Sequence, residues 1–221
     1  MARETHEDRN KLSVVVPAGK ARLQGFLGLP ANPRGVVAFA HGSGSGRLSP
    51  RNNFVALILQ NGGLATLLVD LLEEQESLDR EKVFDIDLLA ERLLASTQWL
   101  SDRAEMKGLS FGYFGASTGA AAALQAAAQE LSGVTAIVSR GGRPDLAMKY
   151  LPHVKAPTLL IVGGEDSSVI PLNEAAYERL DCPKQMVIVP GATHLFEESG
   201  ALERVGNLAC EWFLRYLLPK A

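Results

Sequence analysis

The sequence predicts a three-layer α/β/α sandwich, with a mostly parallel sheet of about eight strands that opens with an N-terminal antiparallel hairpin. Short β-branched or apolar runs alternate along the chain with longer amphipathic stretches, the pattern of helices packed against a parallel sheet. The 221 residues are 47% hydrophobic, enough for a sizeable core. No inserted segment is long enough for a cap domain, so we expect residues 12–221 to form one domain behind a polar leader, residues 1–11.

Each strand is predicted from a short apolar run bounded by turn-forming residues. The first two runs flank Pro17-Ala-Gly-Lys20, which indicates a hairpin. The later runs are continuously apolar, as expected for strands covered on both faces. The predicted strands are residues 12–16, 21–29, 36–40, 64–70, 109–114, 134–139, 157–162 and 185–189.

Helices are predicted where apolar residues recur every three or four positions. In the first helix, Phe54, Leu57 and Ile58 share one face, and Gly62-Gly63 provides a left-handed stop. The last helix has an apolar stripe that includes Trp212, which we interpret as a surface docked on the sheet rather than a membrane or partner surface. The predicted helices are residues 51–61, 86–100, 120–131, 144–151, 172–180 and 202–216.

Charge and composition exclude several classes of function. The net charge is −3, with basic residues scattered, so the chain offers no surface for nucleic acid. No apolar run is long enough to span a membrane, and residues 1–11 are too polar for a signal sequence, so a cytoplasmic protein is expected. Cys182 and Cys210 lack metal-ligand spacing, which predicts reduced structural thiols and no metal site.

The junction after the fifth predicted strand carries the most informative motif. Gly115-Ala-Ser117-Thr-Gly119 is G-x-S-x-G between a strand and a helix, the context in which that motif marks a nucleophile. Such a turn strains the backbone of Ser117, and side chains at the two glycines would collide with neighbouring elements. The alternative is a serine that only caps a helix beside a tight turn.

A serine nucleophile needs a base and a group that orients the base, and candidates for both follow later strands. Asp166 comes after Gly163-Gly164, and His194 follows the last strand, giving the chain order Ser, Asp, His. Taken singly, the aspartate could be a turn residue and the histidine a solvated one. Glu165 is the rival acid. The other histidines are His6 in the leader, His153 ahead of a strand and His41, which we expect to brace its loop.

Acyl transfer also requires donors for the negative charge that develops on the carbonyl oxygen. The backbone N–H of Thr118 is one candidate, and the N–H of Ser43 is the other, with Gly44 as its alternate. Gly42, Gly44 and the donors would then border the substrate. The loop His41-Gly-Ser-Gly-Ser-Gly46 lacks the lysine of a phosphate-binding loop, which disfavours that interpretation.

Two further segments bear on specificity. Arg140 or Arg143, in Ser139-Arg-Gly-Gly-Arg143, could bind an acidic group of the substrate, or could instead pair with Asp145 and fix the loop. The acidic segment 72–82 could close over the site or be a solvated loop. Without a cap domain, we expect a shallow pocket that favours small or short-chain acyl groups.

These motifs together resemble the α/β-hydrolase superfamily, in its dienelactone hydrolase-like branch, over about residues 12–218. The resemblance implies a hydrolase of esters, lactones or related acyl bonds that uses neither metal nor cofactor. Dienelactone hydrolases proper have a cysteine nucleophile, whereas this chain has Ser117. The expected function is a serine hydrolase of small carboxylic esters, with a small-molecule ester as its partner. The alternatives are an acyltransferase or thioesterase with the same residues, and a non-catalytic binding protein; the oligomeric state stays open.

Overall fold

An eight-stranded sheet lies at the centre of the computed structural model, which describes residues 11–129 and 132–217. Its strands are β1 (Lys11–Ala18), β2 (Ala21–Gly28), β3 (Val36–Ala40), β4 (Ala65–Val69), β5 (Phe111–Ala116), β6 (Val134–Arg140), β7 (Thr158–Gly163) and β8 (Lys184–Val189). The strand order is β1-β2-β4-β3-β5-β6-β7-β8. β2 pairs antiparallel with β1 and β4, and the other neighbours are parallel.

Six α-helices among the described residues surround the sheet, and they are α1 (Pro50–Asn61), α2 (Arg80–Val83), α3 (Ile86–Ser101), α4 (Thr118–Ala127), α5 (Ile170–Arg179) and α6 (Ala201–Leu217). α1 and α6 pack on one face of the sheet, and α3, α4 and α5 pack on the other. The three-layer sandwich that the sequence predicts is therefore confirmed. None of the helices within residues 11–129 and 132–217 is both long and apolar enough to cross a membrane.

The central strands are buried from both sides because their side chains alternate between the two helical layers. In β3, Val36 and Ala38 face α3 and α4, whereas Val37 and Phe39 face α1 and α6. The alanine-rich helix α4 is fully buried, since its small side chains let the helix approach the sheet closely. The apolar stripe of α6 packs on the sheet as expected.

The inner face predicted for α1 is wrong. Val55 and Leu59 are buried against the sheet, whereas Phe54 is 42% exposed. Ile58 faces α6 instead, where a side chain at Gly206 would overlap it. Because α1 packs against both the sheet and α6, its apolar residues spread around the helix and the phase of its inner face could not be read from periodicity alone.

The helix predicted over residues 144–151 is also wrong. That stretch contains two short 3₁₀ turns, Pro144–Ala147 and Leu151–His153. Pro144 and Pro152 stand near the starts of these turns, and Pro152 could not continue a helix because its ring lacks an N–H and would clash with the preceding turn. The predicted end of the helix over 120–131 falls on residues 130–131, outside the described residues, as do residues 1–10 of the predicted leader.

The acidic segment 72–82 is more ordered than a solvated loop, since it contains a 3₁₀ turn, Glu76–Leu78, and the start of α2. Glu76 accepts hydrogen bonds from both Nη atoms of Arg92 in α3, at 2.5 and 2.8 Å, and from Lys82 at 3.2 Å. Arg92 also donates to the carbonyl of Leu71 at 2.9 Å. This network ties the segment to α3.

The same network makes the stability sensitive to acid. The hydrogen bonds from Arg92 lower the pKa of Glu76 to about 2. Glu76 becomes protonated at a lower pH in the folded state than in the unfolded state. Its contribution to the free energy of unfolding is therefore full above pH 4.5 and is lost as the pH falls from about 4.5 to about 2. We expect Glu76→Gln to lower the free energy of unfolding by about 1–3 kcal/mol at pH 7.

Urea unfolding followed by circular dichroism between pH 2.5 and 7 measures this effect. The difference in the free energy of unfolding between wild type and Glu76→Gln should shrink as the pH falls, because the carboxylate of Glu76 then becomes protonated in wild type. Glu74→Gln is the control, since Glu74 is exposed on the same segment. A gap that stays constant over that pH range would contradict the assignment.

Candidate active site

Ser117 lies at the turn between β5 and α4, with a strained backbone. Its backbone angles, φ of 51° and ψ of −122°, are values that residues other than glycine rarely adopt. The two glycines of the motif explain how the turn fits. A side chain at Gly115 would lie 2.4 Å from Cα of Ala120, and one at Gly119 would lie 2.1 Å from the carbonyl oxygen of Ala40. The turn therefore requires glycine at both positions and raises Ser117 at the N-terminus of α4.

Asp166 and His194 meet above the carboxyl ends of β7 and β8. Nδ1 of His194 donates to Oδ2 of Asp166 at 2.6 Å, and the carboxyl group is buried. Ser168 donates to the other oxygen at 3.4 Å. Since the proton of the neutral imidazole is on Nδ1, Nε2 has a free lone pair and can accept a proton.

The rival acid Glu165 points elsewhere. Its side chain is exposed, and its backbone N–H donates to the carbonyl of Ala192 at 2.9 Å. Gly164 likewise donates to Val189 at 2.8 Å. These two backbone bonds join the loop that follows β7 to the loop that follows β8, which fixes the position of Asp166 relative to His194.

Ser117 and His194 both line a cavity of about 220 Å³ at this edge of the sheet. Ser43, Arg51 and Arg140 contribute to the same walls. The fold thus brings together residues that are far apart in sequence, because parallel strands end at one edge. Arg51 was missed by the sequence analysis, since a single arginine at the start of α1 gives no signal.

The loop after β3 packs directly on the turn that contains Ser117. A side chain at Gly42 would lie 2.9 Å from Cβ of Ser117, and Gly44 adopts φ of +69°. The N–H of Ser43 donates to Oγ1 of Thr118 at 3.0 Å. The N–H of Thr118 belongs to the first turn of α4, where backbone donors have no acceptor within the helix. The bond between Ser43 and Thr118 was not anticipated from the sequence.

His41 has the bracing contacts expected of it. Nε2 accepts from the N–H of Leu71 at 3.0 Å, so the ring proton is on Nδ1, which faces the carbonyl of Gly42 at 3.0 Å. Burial lowers the pKa of His41, which keeps the ring neutral. His41 joins the loop after β3 to the end of β4 and has no nitrogen free for proton transfer. His153 is exposed, and His6 lies outside the described residues.

The two candidate arginines have different surroundings. Arg143 forms a two-pronged ion pair with Asp145, at 2.9 and 2.8 Å, which fixes its loop. Arg140 ends β6, is 7% exposed and faces the cavity of Ser117. Its guanidinium carbon lies 5.9 Å from the ring centre of Phe196. Phe196, with φ of 57°, was not singled out from the sequence.

A second cavity of about 220 Å³ lies on the other side of the loop after β3. Leu72, Val83 and Leu89 give it an apolar wall, and Ser43 and Thr118 border it on the side nearest Ser117. Segment 72–82 therefore forms part of a pocket wall. Within residues 11–129 and 132–217, no group of three or more His, Cys, Asp or Glu side chains is arranged to hold a metal ion. Both cysteines are free.

Comparison with known proteins identifies the family. The model of the dienelactone hydrolase family matches residues 23–215. The crystal structure of a dienelactone hydrolase from Anabaena variabilis is 56% identical, with a TM-score of 0.90 over 94% of this chain and 98% of that chain. Est1E from Butyrivibrio proteoclasticus is 16% identical, with a TM-score of 0.79 over 92% of this chain and 98% of that chain, and shares the fold.

Two proteins of Mycobacterium tuberculosis, each named "Putative phosphoribosyl transferase", are 55% identical over 204 residues. The match covers 92% of this chain and 46% of theirs, so the chain spans about half the length of these relatives. The family match and the Anabaena structure agree with the α/β-hydrolase fold described above. The chain is therefore an α/β-hydrolase that belongs to the dienelactone hydrolase family.

Proposed function

We propose that this hydrolase cleaves small carboxylic esters through Ser117, His194 and Asp166. The observation that carries the proposal is the bond of 2.6 Å between His194 and the buried Asp166, with His194 and Ser117 on the walls of one cavity. The carboxylate holds the imidazole in the tautomer that can accept a proton and stabilises the charged ring once it forms. A serine needs such a base because its hydroxyl is a weak nucleophile.

The reaction proceeds in two halves. Nε2 of His194 takes the proton of Ser117 as Oγ bonds to the carbonyl carbon, and the tetrahedral intermediate then expels the alcohol, which receives that proton. The acyl group stays on Oγ of Ser117. Water, deprotonated by His194, attacks the acyl-enzyme and releases the acid, and Ser117 recovers its proton from the imidazolium.

The developing oxyanion is bound by the backbone N–H groups of Ser43 and Thr118. The N–H of Thr118 lies at the positive end of α4, which favours negative charge. The N–H of Ser43 now donates to the hydroxyl of Thr118, and the more strongly charged oxyanion replaces that hydroxyl as its acceptor. Gly42 and Gly44 let the loop lie close to the substrate.

The size of the second cavity favours a short acyl chain. Its volume of about 220 Å³ and its apolar wall of Leu72, Val83 and Leu89 suit a small apolar group beside the oxyanion donors. Transfer of the acyl group to an alcohol or cleavage of a thioester would use the same three residues. Hydrolysis is preferred because the cavity of Ser117 is open to water.

Phosphoribosyl transfer is the second candidate, because relatives that are 55% identical have that name. The match covers 46% of those relatives, and the residues described above are suited to acyl rather than phosphoribosyl chemistry. We therefore propose ester hydrolysis, rather than phosphoribosyl transfer, for the residues described here.

Labelling with a fluorophosphonate probe tests the assignment. The probe reacts with activated serines, so we expect wild type to be labelled at Ser117 and Ser117→Ala to remain unlabelled. Mass spectrometry of the labelled peptide locates the site. A binding protein built on this fold would leave both proteins unlabelled, and equal labelling of the two would place the reactive serine elsewhere.

A further inference from the structure

The cavity of Ser117 contains a buried positive charge that has no partner in the part of the chain that the structure describes. Arg140 is 7% exposed, and none of the residues within 11–129 and 132–217 accepts a hydrogen bond from its guanidinium or forms an ion pair with it. Its Nε is fully buried and unsatisfied. Arg140 pairs in register with Ala116, the residue before Ser117, so its position next to the nucleophile turn is set by the sheet.

Burial of an unpaired charge is unfavourable, and other arginines nearby avoid it. Arg143, three residues away, is paired with Asp145, and Arg51, in the same cavity wall, lies 2.7 Å from Glu197. Burial and the neighbouring charge of Arg51 lower the pKa of Arg140 to about 10, so Arg140 is still positively charged at neutral pH. Arg140 is thus a buried cation that has no anionic partner among the described residues.

An anionic partner can reach Arg140 through the cavity of Ser117. Phe196 lies against the guanidinium on one side and offers its ring face, which attracts a cation but cannot neutralise it. The cavity shared with Ser117 and His194 provides the remaining space. Arg51 lies in the same wall but is paired with Glu197, so the unpaired charge of Arg140 is what attracts an anion into the cavity.

We propose that Arg140 binds an anionic group of the substrate, a carboxylate or a phosphate, on the part of the ester that occupies the cavity of Ser117. The proposal rests on the ester hydrolase function proposed above and narrows its substrate class. A planar guanidinium can hold either oxyanion through paired hydrogen bonds, and burial strengthens both. Arg140 then selects charged esters over neutral ones of the same shape.

Matched pairs of esters test the proposal. On the alcohol side, 4-acetoxybenzoate is compared with its methyl ester, and on the acyl side, mono(4-nitrophenyl) adipate is compared with its methyl ester. We expect wild type to prefer the charged member of at least one pair in kcat/KM. In Arg140→Gln that preference should fall by about 10- to 100-fold, as for loss of a charged hydrogen bond.

Arg143→Gln is the matched control, since Arg143 lies three residues after Arg140 and its side chain pairs with Asp145 outside the cavity. Arg140→Met adds a readout of folding: its thermal midpoint should equal or exceed that of wild type, because removing an unpaired buried charge relieves the desolvation cost. Inorganic phosphate and acetate, tested as competitive inhibitors of neutral ester hydrolysis, distinguish the two anion classes. Inhibition by the stronger inhibitor of the two should be weaker in Arg140→Gln than in wild type.

Three results would overturn the proposal: equal rates for the charged and neutral members of both pairs in wild type, an unchanged preference in Arg140→Gln, or a marked fall in the thermal midpoint of Arg140→Met. Failure of the ester hydrolase function looks different, because wild type would then hydrolyse none of the four esters and would not react with the fluorophosphonate. The anion site can still be examined in that case, through binding of phosphate and acetate measured by calorimetry.

Discussion

Ser117→Ala is expected to lower kcat for 4-nitrophenyl acetate by about 10⁴- to 10⁶-fold, the range found when a serine nucleophile is removed from its triad. The residual rate comes from substrate binding and from the oxyanion donors, which remain in place. The fold should be unaffected, because alanine tolerates the strained φ of 51° at this turn no worse than serine does. Release of 4-nitrophenolate measures the loss, with thermal unfolding as the check on structure.

Ser117→Cys is the companion variant, since a thiol at this position can also form an acyl intermediate. Next to His194 and the N-terminus of α4, the new thiol should ionise readily and react with iodoacetamide before the native cysteines do. Burial raises the pKa of both Cys182 and Cys210, which slows their alkylation. If Ser117→Ala retained more than a few per cent of the activity, the nucleophile would lie elsewhere in the chain.

The strained turn at Ser117 could be predicted from the sequence because its determinants are local. Two glycines around Ser117, between an apolar strand and an alanine-rich helix, specify a turn whose close contacts exclude side chains at Gly115 and Gly119. The fold could be predicted for a similar reason: each buried strand is a continuous apolar run. The positions of Asp166 and His194 follow from the rule that parallel strands end at one edge.

Features that depend on contacts between distant segments could not be predicted in the same way. The sequence indicated Arg140 as a substrate-binding residue but left Arg143 as an alternative, because the direction of each side chain is set by the tertiary fold. The inner face of α1 was predicted wrongly, because the contact of Ile58 with Gly206 of α6 cannot be inferred from the apolar pattern of one helix. The hydrogen bond from Ser43 to Thr118 joins the loop after β3 to the start of α4, 75 residues further along the chain.

Ser43→Pro tests whether the backbone N–H of Ser43, which forms that bond, is also a donor to the oxyanion. Proline removes the backbone N–H, so we expect kcat for 4-nitrophenyl acetate to fall by about 10²- to 10³-fold, the usual cost of one oxyanion donor. KM should change little, because the donor is needed most when the oxygen carries charge in the transition state. Ser43→Ala keeps the N–H and loses only the hydroxyl, so its loss of activity should be far smaller.

Thr118→Val separates a catalytic role of the Ser43 N–H from a structural one. In the resting protein that N–H donates to the hydroxyl of Thr118, and valine removes the acceptor while leaving the donor in place. If the bond only holds two loops together, Thr118→Val should cost as much activity as Ser43→Pro. If the N–H instead binds the oxyanion, Thr118→Val should retain most of the activity and Ser43→Pro should not, because the substrate oxygen replaces the missing hydroxyl during the reaction but cannot replace a missing donor.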